Sequence, residues 1–293
     1  MHVSGFLSRV LLCLIAMSAG ALAQASYTCN FTEVAIKGSG ISGVYGLGIN
    51  DPDVVVGSYY SYATQYAFVR DADGKLHDYL LRGTQMTTFN DINDADTIVG
   101  AVMTSQSEGH GIVGRVGKFS KITYPGAAIT AAEGVNKSGE VVGFYSASGE
   151  QAGFLLSHEK FTAIQYPSGD TTQALGINDS GVIAGTYTTY DGLINHGFIL
   201  KDGHYKSLDY PGAQFTILSV INDSGVSAGY YFGSNGELGG FLYKSGHYLN
   251  VTIPGATSLT TNGINNKGDI TGQVTVANGN QGFYVGKNCH SGN

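Results

Sequence analysis

Gly176-Ile177-Asn178-Asp179-Ser180-Gly181-Val182-Ile183-Ala184-Gly185-Thr186-Tyr187 is one copy of a motif that the 293-residue chain carries six times. Its asparagine recurs as Asn50, Asn93, Asn136, Asn178, Asn222 and Asn265, at spacings of 43, 43, 42, 44 and 43 residues. A branched aliphatic residue precedes each asparagine, and a glycine follows each by seven, from Gly57 to Gly272. So strict a register marks a repeat architecture, in which each unit covers its apolar face only by stacking on its neighbours.

The fourth period divides into four candidate strands, 172–178, 182–188, 195–201 and 204–210. Val182, Ala184 and Thr186 alternate with Ile183, Gly185 and Tyr187, the period-2 signature of a strand. The connectors Asp179-Ser180-Gly181 and Asp202-Gly203 carry residues that tolerate positive φ. No window of helical length beyond residue 23 shows a 3.6 period, so the expected class is all-β. Four strands in a 43-residue period match a propeller blade, and six copies predict a six-bladed β-propeller. The competing architecture is an open β-solenoid.

The two ends discriminate between them. Asn30-Phe31-Thr32-Glu33-Val34-Ala35-Ile36 matches the fourth strand of other periods, whereas Gln281-Gly282-Phe283-Tyr284-Val285-Gly286 matches the third. The last period is one strand short, and the N-terminal segment supplies that strand, which a ring needs and a solenoid does not. Cys29 and Cys289 flank this junction, where other periods have a short covalent turn. A disulfide is expected there, with two free thiols as the alternative. Tethering so long a loop would stabilise the fold by roughly 4–5 kcal/mol on loop-closure entropy.

Residues 1–23 are expected to be a secretory signal peptide: Arg9, an apolar run from Val10 to Leu22, and Ala21-Leu22-Ala23 as the cleavage signal. Residues 24–293 then form one domain in an exported protein, secreted or periplasmic, a compartment that permits disulfides. No stretch beyond the leader is long and apolar enough for a membrane span. The formal charge of −7 and the scattering of Lys and Arg argue against nucleic acid as a partner.

The pattern Gly-Ile-Asn-x-x-Gly-x-x-x-Gly-x-Tyr, then His-Gly-Phe-Leu, then Phe-Thr-x-Ile-x-Tyr-Pro-Gly-Ala resembles the HAF repeats of exported bacterial proteins, over roughly residues 30–286. The strand layout is also similar to NHL-type propellers. The first two copies depart from the pattern, with Arg82-Gly83-Thr84 in place of Pro-Gly-Ala and His110-Gly111-Ile112 in place of the Gly-Phe. The resemblance implies a repeat fold and carries no defined activity.

A residue repeated in every copy serves the scaffold. The asparagines are expected to cap the turns that follow them, and the glycines to let strands crowd. The acidic residues Asp94, Asp179 and Asp223 come from separate turns, and Asp71-Ala72-Asp73-Gly74 reads as a hairpin turn, so no metal site is expected. The histidines have no metal-ligand spacing. No nucleophile elbow, zinc-protease motif, phosphate loop or dinucleotide fingerprint is present, and no cofactor is expected. The segments between second and third strands differ in every copy and are rich in tyrosine. Tyr59, Tyr145, Tyr187 and Tyr231 share one register and are expected to pack between blades, whereas Tyr60, Tyr62, Tyr66 and Tyr190 are the candidate ligand-binding residues. The expected function is a monomeric binding module for an extracellular protein or glycan. The alternative is a hydrolase or lyase acting on carbohydrate at the channel mouth, and converging acidic, basic or histidine side chains would favour it.

Overall fold

The computed structural model describes residues 26–189 and 194–291. The expected signal peptide and Tyr190 lie outside these residues. All regular structure in the described residues is β, in 25 strands that group into successive antiparallel meanders.

After β1 (Ser26–Val34), the first meander is β2 (Ile41–Ile49), β3 (Val55–Ser61), β4 (Thr64–Arg70) and β5 (Leu76–Tyr79). The second comprises β6 (Met86–Ile92), β7 (Ile98–Met103), β8 (Gly109–Arg115) and β9 (Lys118–Ile122). The third comprises β10 (Ile129–Val135), β11 (Val141–Ala147), β12 (Glu150–Ser157) and β13 (Lys160–Ile164). The fourth runs β14 (Thr171–Ile177), β15 (Ile183–Thr188), β16 (Asn195–Lys201) and β17 (His204–Leu208), each bound within two residues of the sequence reading. The fifth runs β18 (Ala213–Ile221), β19 (Ser227–Gly233), β20 (Leu238–Lys244) and β21 (His247–Val251).

The last unit has its first strand in two pieces, β22 (Ala256–Leu259) and β23 (Gly263–Ile264), followed by β24 (Ile270–Val276) and β25 (Gln281–Ser291). At the interruption the Tyr284 hydroxyl donates to the Thr260 carbonyl at 2.9 Å. Its fourth strand is β1, antiparallel to β25 with Phe31 opposite Gly286 and Val34 opposite Phe283. Cys29 and Cys289 sit in the irregular step of that pairing, disulfide-bonded with Cα atoms 4.1 Å apart.

The ladders are not continuous around the molecule: they form separate sheets of 9, 12 and 4 strands, and within the two larger sheets short parallel bridges join one meander to the next. Side chains also join the units. Each apolar cluster spans two successive meanders, as where Val56 and Val69 meet Phe89 and Ile98, or where Val142 and Ile164 meet Ile177 and Phe198. The series returns to its start, since Phe283 and Val285 pack with Val44, Ile49 and Phe68. The third-strand phenylalanines enter four of the six clusters; Phe68, Phe154, Phe198, Phe241 and Phe283 are all fully buried. The repeated glycine makes room for them: a Cβ at Gly185 would collide with the Gln173 carbonyl and the Phe198 ring.

Tyrosines staple one meander to the next. In the Tyr-Pro crossovers, Tyr124, Tyr166 and Tyr210 stack on Tyr145, Tyr187 and Tyr231, with ring centroids 3.5, 3.6 and 3.7 Å apart. Beneath each, a buried threonine hydroxyl (Thr130, Thr172, Thr216) accepts the crossover tyrosine's N–H at 2.9–3.0 Å. The same register holds Leu81 with Val102, and Ile253 with Val274, so aliphatic pairs do this work elsewhere.

One sequence expectation needs correction. The segments between second and third strands are mostly strand. β11 and β12 leave only Ser148-Gly149 between them, both at positive φ (53° and 87°), as a two-residue hairpin turn demands. Continuous cross-strand pairing extends the ladder into residues that composition alone marks as loop.

Candidate functional site

The repeated asparagine does more than cap. Asn178 Oδ1 accepts the N–H groups of Ser180 and Val182, at 3.1 and 3.0 Å. Its Nδ2 donates to the Asn222 carbonyl of the next meander at 3.1 Å. Every anchoring asparagine makes the equivalent bond, and Asn265 donates to Asn50 at 3.1 Å, so the cycle returns to its start. The following residue forms a parallel set, such as Asp179 N–H to Asp223 Oδ1 at 2.8 Å, interrupted where Lys137 offers no acceptor. These asparagines, Asp51, Asp94, Asp179 and Asp223 surround a gap of about 70 Å³, room for about two waters. That end of the molecule is closed, and its carboxylates are occupied by backbone donors.

Just inside, a β-bulge interrupts the pairing of β2, β6, β10, β14 and β18 with its neighbour, at the residue three before each asparagine. A bulge re-aims the side chain of its extra residue. Here these residues are Leu47, Asn90, Glu133, Leu175 and Ser219, joined by Asn262 in the gap between β22 and β23, and all face a central cavity of about 220 Å³. Gln173, Thr186, Ile217 and Tyr230 complete its wall. Glycine beside the bulge lets the strands come this close in four of the six repeats; a Cβ on Gly176 would lie 2.7 Å from the Val220 Cα.

Asp91 replaces that glycine in the second repeat. It accepts the Val135 N–H at 3.0 Å, yet burial outweighs the bond and raises its pKa to about 7. Burial, with Asp91 beside it, raises Glu133 to about 8. At neutral pH Glu133 is therefore largely a neutral acid that can donate a hydrogen bond. The sequence reading passed over both carboxylates; the signal that could have found them is their departure from Leu or Ser and from Gly at those registers.

The second place where the repeat breaks is the opposite face. In the second and fourth copies, a histidine at the start of the third strand meets a residue just after the fourth, and the partner differs. His110 Nδ1 lies 3.0 Å from Thr123 Oγ1, and His196 Nδ1 lies 2.9 Å from Asp209 Oδ1. Tyr187 stacks on the His196 ring at 5.1 Å and fixes its orientation. His196, Asp209, Tyr210, Gln214 and Phe215 line a groove of about 670 Å³ between the fourth and fifth meanders, within the size range of ligand pockets. The stacked pair Phe215 and Phe232 borders it, ring centroids 5.4 Å apart.

The candidate tyrosines do not converge. Tyr62 is 74% exposed on the β3–β4 turn, at φ 54°, its N–H bonded to the Gly40 carbonyl. Tyr66, expected on an exposed loop, is part of β4 and stacks on Tyr59, because the strand begins two residues before it. Tyr60 is half-buried, its pKa raised by burial and by Tyr45, which also raises Tyr230. Tyr59, Tyr187 and Tyr231 are buried in the meander packing, as their register predicts. Among the described residues no group of three metal-ligating side chains occurs.

The geometry defines an all-β protein of the propeller type, and solved structures agree. The chain is similar to TolB from Acinetobacter baumannii, with a TM-score of 0.57 and 13% identity over 80% of this chain. It spans only 63% of that protein's length. It is similar to a gluconolactonase from Xanthomonas campestris (TM-score 0.53, 12% identity, 83% of this chain and 86% of that one). It is also similar to a mutant of the Aleuria aurantia lectin in complex with Fucα1-6GlcNAc (TM-score 0.51, 11% identity, 87% and 97%). No protein-family profile matches the chain, and no curated protein does.

Proposed function

We propose that the chain is an exported six-bladed β-propeller built of HAF repeats, closed by β1, and that it works as a monomeric binding module for an extracellular glycan or protein. The returning asparagine cycle, the returning series of apolar clusters and the β1–β25 pairing support six blades in a ring. The disulfide suits a secreted or periplasmic protein, and no helix among the described residues is long and apolar enough to cross a membrane. The binding face is the one that carries the crossovers and the β3–β4 type turns. The observation that carries the reading is the groove beside His196 and Asp209. It joins an oriented polar pair to an aromatic wall, at a register where no other repeat has that pair.

Residues 24–293, applied to glycan and protein arrays, should yield a specific ligand. His196→Ala, Asp209→Asn and Gln214→Ala should each weaken it by about tenfold, or 1.4 kcal/mol, with the melting temperature unchanged. A ligand bound equally well by all three variants would place recognition elsewhere.

The enzyme reading gains one observation, the burial-shifted Asp91 and Glu133 near the central cavity. However, among the described residues no Arg, Lys or His lines that cavity to assist them. Turnover of an array ligand that Glu133→Gln abolishes would establish a carbohydrate hydrolase or lyase instead.

A further inference from the structure

The bulge register is where the innermost wall abandons the repeat: Leu47, Asn90, Glu133, Leu175, Ser219 and Asn262 face the same space with four different residue types. A symmetric scaffold with an asymmetric inner wall is shaped by what it contains. Two wall amides are committed, Asn90 Nδ2 to the Ala132 carbonyl and Asn262 Nδ2 to the Gly46 carbonyl. By contrast Glu133, Gln173, Ser219 and Tyr230 have no side-chain hydrogen-bond partner among the described residues, and Glu133 and Tyr230 are half-buried in the wall. Their donors and acceptors are free to bond whatever enters the cavity. Leu47, Leu175 and Ile217 form the apolar part of the same wall.

The volume of about 220 Å³ matches about seven waters at roughly 30 Å³ each, below the range of drug-sized pockets and near that of one sugar ring. The asparagine cycle closes the far end. No cationic side chain among the described residues lines the wall to hold an anion, and no three-ligand set is present for a metal.

We propose that the central cavity binds one small neutral polyhydroxylated molecule of monosaccharide size, its hydroxyls bonded to Glu133, Gln173, Ser219 and Tyr230 and its C–H face against Leu47, Leu175 and Ile217. This site is separate from the groove at His196, and it stands whether or not that groove binds a glycan.

The test is isothermal titration, with saturation-transfer NMR, of residues 24–293 against D-glucose, D-galactose, D-mannose, L-fucose and myo-inositol. At least one should bind at pH 6, and Ser219→Phe, which fills the cavity, should abolish the signal. Because that variant could disturb folding, Gln173→Ala is measured beside it and should weaken binding by about tenfold at unchanged melting temperature. Asp91 and Tyr230 are the titratable groups facing Glu133, and Asp91 ionises with it. Wild-type affinity should therefore fall several-fold from pH 6 to pH 9, whereas Glu133→Gln should keep its affinity across that range. His196→Ala should change nothing here, which separates this site from the groove. Binding by none of the five probes, or binding unaltered in both Ser219→Phe and Gln173→Ala, overturns the proposal.

Discussion

A carboxylate that folding pushes toward its neutral form leaves a signature in the dependence of stability on pH. Glu133 is raised to about 8 and Asp91 to about 7, so the folded protein holds protons that the unfolded chain releases at ordinary carboxylate pKa values. Stability from these groups is complete below about pH 4. It is lost as the pH rises through 7 and 8. The melting temperature should decline across pH 5–9, and Glu133→Gln should flatten much of that decline; a wild-type profile rising over this interval would contradict the burial of Glu133. Tyr62 gives the opposite case. At 74% exposure, its replacement by alanine should cost less than about 0.5 kcal/mol of stability in urea unfolding. The repeat made the scaffold residues legible, because a residue present in every copy has a role shared by every copy. Asp91 and Glu133 were hidden by the same logic: their meaning lies in the side chains that five other repeats place across from them. Nothing within one repeat shows a bulge re-aiming its residue inward.

The meanders carry their own controls. The Tyr166–Tyr187 staple corresponds to Leu81 with Val102 elsewhere in the chain. Tyr187→Ala should cost about 3–4 kcal/mol, as large-to-small changes in cores do. The double variant Tyr166→Leu/Tyr187→Val, which copies the aliphatic staple, should cost clearly less in the same chemical denaturation series. Equal losses would mean that the tyrosines do more than pack. At the seam, β1 is held by its ladder with β25 and by Cys29–Cys289. Reduction should free two thiols, fray β1 and lower stability by about 2–4 kcal/mol, with hydrogen exchange rising first in residues 26–34. Strand order and the pairing of the ends were legible from the sequence, because turns and alternation are local and the last period visibly lacks a strand. The reach of strands β11 and β12 into apparent loops was not, since ladder bonds rather than composition extend them.

At the scale of the molecule, the proposal is that the repeated residues close and stiffen a ring and that a ligand is met where repetition fails. Asn178 and His196 represent the two sets: one bonds to the next repeat in the asparagine cycle, the other lines the groove in a pair found in a single copy. The most direct test is a paired measurement on Asn178→Ala and His196→Ala, in which melting temperature and affinity for an array-identified ligand are read on the same preparations. Asn178→Ala should lose about 1–3 kcal/mol and several degrees, at roughly 2–4 °C per kcal/mol, while keeping its affinity. His196→Ala should melt with the wild type and bind about tenfold more weakly. The reverse outcome, with affinity lost at Asn178 and stability lost at His196, would contradict the division between scaffold and site on which the account rests.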